Sequence, residues 1–212
     1  MPISFQTLTR AIKSLEGKVD FLQPLSPDDE LIDRALAAND RELAKSIFRR
    51  IAGRDCPALL EPLLTMPDET AVAWQTESAR GEFRIYGPAR AITTRIDPSY
   101  GVREGIDIGA MAVLDQITDT VGPHFVLFDP SSIDTRGLIL FDGTKIANLS
   151  ITPEEYVVLA GTGAGFDSWQ FLFASLPITA DREKSMRDSF SLVQDANPVI
   201  DMTKFAERLS AI

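Results

Sequence analysis

Few side chains in this sequence could do chemistry. There is one histidine, His124, and one cysteine, Cys56. A histidine acting as general base needs an orienting carboxylate on one side and a nucleophile on the other. Asp129 and Ser131 follow His124 closely, but close neighbours along a strand need not converge on one point. The Gly-x-Ser-x-Gly elbow of a hydrolase is missing. His124 therefore reads as a strand-edge histidine bonded to backbone or solvent. Cys56 precedes Pro57 at an expected helix start, where a thiol pKa can be lowered. A catalytic thiol also needs a partner base, and small-hydrophobe packing is the reading favoured for Cys56. A single histidine excludes any site that needs two, and a single cysteine excludes a disulfide framework.

Asp129, Asp134 and Asp142 lie in and around the expected 129–137 loop and the turn that follows. Gathered at one sheet end, three carboxylates could hold a hard cation or a glycoside. The spacing is not that of a calcium loop, and Asp is common in turns for its own hydrogen-bonding reasons. Phe166, Trp169 and Phe173 fall at i, i+3 and i+7, with Leu172 and Leu176 beside them. Such a stripe is a core face, or an interface anchor if it is exposed. The run 157–165 ends in Gly161-x-Gly163-x-Gly165, which is not the Gly-x-Gly-x-x-Gly of a dinucleotide loop. It reads as a helix stop and a loop. These patterns predict no catalytic residue, no metal and no cofactor. Asp129, Asp134, Asp142 and Trp169 are left as candidate partner-binding positions.

The elements that must position these residues divide the chain at about residue 67. Residues 1–66 read as a helical N-terminal region. Leu8, Ile12, Leu15 and Val19 share a helix face, and Ser26-Pro27-Asp28-Asp29 is a helix start ahead of Leu31, Ile32, Ala35 and Leu36. Asn39 is expected to stop that helix and Asp40 to cap the next. That next helix buries Leu43, Ala44, Ile47, Phe48 and Ile51 and ends near Gly53. A further short helix runs from Pro57 to Leu64. Residues 67–212 read as an α+β domain, separate from the first region or continuous with it. The spacing predicts strands at 71–76, 82–86 and 91–96, a loop at 101–105, a helix over 108–121, and strands at 124–128 and 138–141. Asp142-Gly143 then signals a tight hairpin to 145–149. Thr152-Pro153-Glu154-Glu155 combines a cap, a first-turn Pro and a Glu at the third position, the strongest helix start in the chain. Helices are expected around 168–176, 181–193 and 201–211. The fold class is α+β: N-terminal helices, a central mainly antiparallel sheet, and C-terminal helices packed on it.

Among the 212 residues, 31 are acidic and 21 are Lys or Arg, for a formal charge of −10. That balance argues against nucleic acid, which selects a basic face. The sequence shows no bilayer-length apolar run and no basic start leading into an apolar stretch. We therefore expect a protein that does not enter a membrane and works in the cytoplasm.

Residues 134–159 begin with a Gly-led strand at Gly137, form a hairpin at Asp142-Gly143, and enter a helix through Ala147-Asn148-Leu149-Ser150. This segment resembles the closing part of the SUKH superfamily, and the 124–128 strand is similar to the one before it in that family. The resemblance implies a non-enzymatic bacterial immunity protein that binds and neutralises a protein toxin. Many such toxins are basic, and an acidic partner would be steered to them. The competing expectation is a small-ligand protein or enzyme that works through carboxylates near Asp129–Asp142.

Overall fold

The computed structural model describes residues 13–24, 38–66, 69–119 and 122–212. Its fold is α+β, built on a sheet of seven strands: β1 (Phe21–Pro24), β2 (Glu69–Gln75), β3 (Arg80–Tyr86), β6 (Ala112–Asp119), β7 (Gly122–Phe128), β8 (Ile139–Phe141) and β9 (Ile146–Asn148). They lie in sequence order and every pair is antiparallel. Tight turns enforce this for β2–β3, β6–β7 and β8–β9, because a parallel pairing needs a long crossover. Between β3 and β6 the chain inserts a separate two-stranded ribbon, β4 (Val102–Arg103) and β5 (Ile106–Asp107).

Six described α-helices surround the sheet: α1 (Ala38–Ala52), α2 (Pro88–Thr93), α3 (Ile133–Arg136), α4 (Pro153–Thr162), α5 (Ala180–Ala196) and α6 (Thr203–Ser210). Tight 3₁₀ turns occupy Ala58–Thr65 and Trp169–Phe173. Helix α2 packs on β6, α5 packs on β3, and α1 and α4 both meet Ala58–Thr65.

Several expected elements are corrected. Residues 108–121 were expected to be helical, yet β6 runs through them. Met111, Leu114 and Ile117 do recur at helical spacing, but Ala112, Val113, Leu114 and Asp115 are all buried as well. A central strand covered on both faces shows a continuous apolar run with no alternation. The β-bulge between Val113 and Asp115 disturbs the period further. Residues 91–96 were expected to be a strand, but α2 opens at Pro88, which sits at the first helical position. The 101–105 loop contains half of the β4–β5 ribbon.

In the first region, β1 pairs with β2 from Phe21 opposite Gln75 to Pro24 opposite Val72. Part of residues 1–66 therefore belongs to the same sheet as the rest, and that region is not purely helical. Only 13–15 of the first expected helix lie within a described helical stretch. The helix expected to begin at Ser26, with Leu31, Ile32, Ala35 and Leu36, lies outside the described residues. Helix α1 starts at Ala38, so Asn39 and Asp40 fall inside it and not between two helices. Phe48 is buried, whereas Leu43 and Ile51 are exposed.

The strongest local signals hold. Thr152 Oγ1 accepts from the Glu155 amide at 3.2 Å, and Glu155 Oε2 accepts from the Thr152 amide at 2.9 Å. This reciprocal pair satisfies two of the free amides at the start of α4. Thr152→Ala is expected to lower stability by about 1 kcal/mol, read as a lower urea midpoint at unchanged slope. A midpoint equal to wild type would show that the box contributes nothing. The hairpin also forms. Its central residues are Gly143 and Thr144, with Gly143 at φ +91° and the Asp142 amide bonded to the Lys145 carbonyl at 3.1 Å. The turn thus sits one residue beyond the Asp-Gly pair that signals it.

Candidate functional site

Strand register decides which of the expected site residues meet. In the β7–β8 pair, Phe125 lies opposite Phe141 and Leu127 opposite Ile139. Asp142, one residue past Phe141, is therefore next to His124. Asp129 lies beyond Phe128 at the other end of β7, five residues from His124, or ~16 Å along an extended strand. The three carboxylates do not form one site.

At the far end, Asp129 accepts from the hydroxyls of Ser131 and Ser132, each at 2.6 Å. Burial pushes its pKa up, but those hydroxyls, the Ser131 amide and Arg136 together hold it below the usual carboxylate range. Asp134 accepts from Arg54 Nη2 at 2.7 Å, while Arg54 Nη1 reaches the Ser131 carbonyl at 2.6 Å. This cluster ties the segment after α1 to the β7–β8 connection. Trp169 is fully buried. It stacks at 4.8 Å on Tyr156 and meets Phe173 and Phe205 edge-on. The aromatic stripe is core, so Trp169 offers no docking surface.

The His124 end is different. A cleft of about 740 Å³ opens there, and most of the residues lining it are polar or charged. Its floor holds His124, only 2 % exposed, whose ring meets the edge of Phe171 at 5.5 Å. Asp142 Oδ1 accepts from the Lys145 amide at 2.7 Å, and from the Thr144 amide and hydroxyl at 2.9 Å each. Burial raises the Asp142 pKa, but these donors and the neighbouring His124 outweigh it and keep the carboxylate below its ordinary range. The carboxylate beside the only histidine is thus Asp142, not Asp129.

The opposite wall comes from distant parts of the chain. Asp167 is 7 % exposed. It accepts from Ser185 Oγ on α5 at 2.5 Å and from Arg80 Nη2 on β3 at 3.4 Å. Arg80 is fixed a second time, because its amide donates to Ser189 Oγ on α5 at 3.1 Å. The segment carrying Asp167 is fastened to β3 by backbone bonds: Glu82 N to Gly165 O at 2.7 Å and Asp167 N to Arg80 O at 3.0 Å. Trp74 Nε1 adds a bond to Ala164 O at 2.7 Å. Arg182, on the first turn of α5, places its guanidinium over Phe171, with Cζ 3.9 Å from the ring centroid. Sequence reading found His124 and Asp142 but not Arg80, Asp167 or Arg182. Those three come from a strand, a loop and a helix far apart in the chain, and no local spacing links them.

A second polar group lies inside the core. Asp115 on β6 is fully buried. It accepts from the Arg84 amide at 2.7 Å and from the Tyr156 hydroxyl, to which Gln170 Nε2 donates at 3.2 Å. Burial pushes the Asp115 pKa up to about 6 against the pull of these donors. With no exposed surface, this cluster joins β3, β6, α4 and the 169–173 turn and does not meet solvent.

Among the described residues no group of three or more His, Cys, Asp or Glu side chains could hold a metal ion. No described helix is long and apolar enough to cross a membrane. No family model, curated protein or solved structure matches the chain.

Proposed function

We propose that this chain is a cytoplasmic, non-enzymatic binding protein of bacterial immunity type, which neutralises a protein toxin by docking on it with acidic surface. The carrying observation is the excess of acidic over basic side chains, 31 against 21, together with its location. Among the described residues only Asp115 and Asp167 are buried carboxylates, so the negative charge of the described residues is almost all outside the core. A field of that sign speeds encounter with a basic partner and rejects nucleic acid. The similarity of residues 134–159 to the closing part of SUKH proteins supports the same reading. Asp134 and Asp129 at one sheet end, and Asp142 at the other, are the docking carboxylates we assign. Trp169 is withdrawn from that set by its burial.

The test is association with the product of the neighbouring reading frame, measured by stopped-flow kinetics over a salt series. Raising ionic strength from ~0.01 M to ~0.15 M shortens the screening length from ~30 Å to ~8 Å. The expected result is a complex whose association rate falls about tenfold or more over that range. Asp134→Lys or Asp142→Lys should slow association further at low salt. Binding that is indifferent to salt and to both reversals would remove the electrostatic basis of the proposal.

A further inference from the structure

The lining of the cleft beside His124 bears on a role other than toxin docking and independent of it. Three of its groups have unspent hydrogen-bonding capacity among the described residues. Arg182 donates its main-chain amide to Thr179 Oγ1, while its guanidinium lies over Phe171 and makes no hydrogen bond. Asp181, exposed beside it on the first turn of α5, has no ion pair. Tyr100 packs edge-on against Phe125 and Phe141, and its hydroxyl is unbonded. By contrast, Arg80 is committed to Asp167, and the charges of that pair cancel. Asp142 is committed to its turn and to His124.

The open charges facing the cleft are therefore one guanidinium and one carboxylate. A purely anionic ligand would meet Asp181, and a purely cationic ligand would meet Arg182. A ligand that carries both signs meets neither penalty. Stacking on an aromatic face holds a guanidinium in one plane and leaves its N–H edge to take a carboxylate in a two-bond fork. The cleft volume lies within the range of small-molecule sites, with room for a side chain beyond the charged groups.

We propose that this cleft binds a small zwitterion of the α-amino-acid type, its carboxylate received by Arg182 and its ammonium by Asp181. Tyr100 closes the far side as a donor to the ligand's polar atoms.

The test is a titration of the intact protein with the free standard amino acids, followed by two-dimensional NMR of the cleft residues. At least one free amino acid should bind in fast exchange. Its N-acetyl and C-amide derivatives, which each remove one charge, should bind about tenfold more weakly. Arg182→Gln should weaken the free amino acid by a similar factor, and so should Asp181→Asn. Asp181 is exposed and its side chain has no hydrogen-bond partner among the described residues, so that variant keeps the fold even if loss of the Arg182–Phe171 contact loosens α5. Two results would overturn the proposal: no shift of cleft resonances with any free amino acid at millimolar concentration, or binding that survives both the blocked derivatives and Asp181→Asn.

Discussion

Gly165→Ala is expected to destabilise the protein by about 3–5 kcal/mol, among the largest effects a single methyl group can have here. Two causes act together. Gly165 has φ +63°, a left-handed conformation that costs an L-residue with a Cβ roughly 1–2 kcal/mol. The added Cβ would also lie 2.7 Å from Phe83 Cδ1 and 2.8 Å from the Glu82 carbonyl oxygen. Neither neighbour can yield. Phe83 is fully buried, and the Glu82 backbone is held by its own bond to Gly165 O. Gly81 makes the matching close approach from the strand side, where a Cβ would lie 2.5 Å from the Trp74 ring and 2.6 Å from Gly165 O. Two glycines facing each other let the 163–168 segment lie directly on β3. For a chain of this length the loss corresponds to a melting temperature lower by roughly 10 °C. Gly143→Ala is the control: φ is +91°, but the nearest atom, Pro123 O, is 3.7 Å away. It should cost only the backbone penalty, roughly 1–2 kcal/mol. Equal losses at the two positions would show that the close packing of Gly165 on β3 carries no weight.

Asp115 gives the second large effect, and its sign opposes the common behaviour of carboxylates. Burial raises its pKa from 3.8 to about 6, so the folded state takes up a proton that the unfolded state leaves in water. The resulting stabilisation is complete below the unfolded value and is lost as pH rises through about 6. Acidification from about pH 7.5 to about pH 4.5 should therefore add stability, on the order of 2 kcal/mol from this group. Asp129, Asp142 and Glu155 have depressed values. Their contribution is present above the unfolded values and is lost only as pH falls through the lower folded ones. The two windows are separate. Relief of charge repulsion near the pI of 4.6 also favours the folded state in acid, but Asp115→Asn retains it. The difference between wild type and Asp115→Asn in denaturation midpoint across pH isolates the buried group. Wild type should gain markedly more than the variant. Parallel profiles would show that Asp115 keeps an ordinary pKa and that its carboxylate reaches water.

Features encoded within a few consecutive residues were legible in the sequence. The Thr152–Glu155 box, the Asp142-Gly143 hairpin and strands β7 and β8 depend on contacts along a short stretch. The α+β class followed from strand pairs joined by short turns. Strand β6 was not legible, because burial on both faces erases the alternation that distinguishes a strand from a helix. Helix α2 was hidden by Gly87-Pro88, a pair that breaks one element and also opens the next. The cleft was half visible. His124 and Asp142 stand out as residue types, but their meeting depends on the β7–β8 register. Arg80, Asp167 and Arg182 are ordinary surface-type residues until β3 and α5 bring them together. Asp129 and Asp134 looked like companions of Asp142 because they are near it in sequence. The length of β7 puts them at the opposite end.

The central claim is that this chain works by binding a toxin and not by chemistry of its own. Survival of cells expressing the product of the neighbouring reading frame, with and without the chain, tests that claim most directly. The account predicts that the wild-type chain restores growth and that the purified pair elutes as one complex at low salt. It also predicts that His124→Gln restores growth equally, since a purely binding role asks no chemistry of the histidine. Growth that stays arrested while both proteins are soluble, with no complex at any salt concentration, would contradict it.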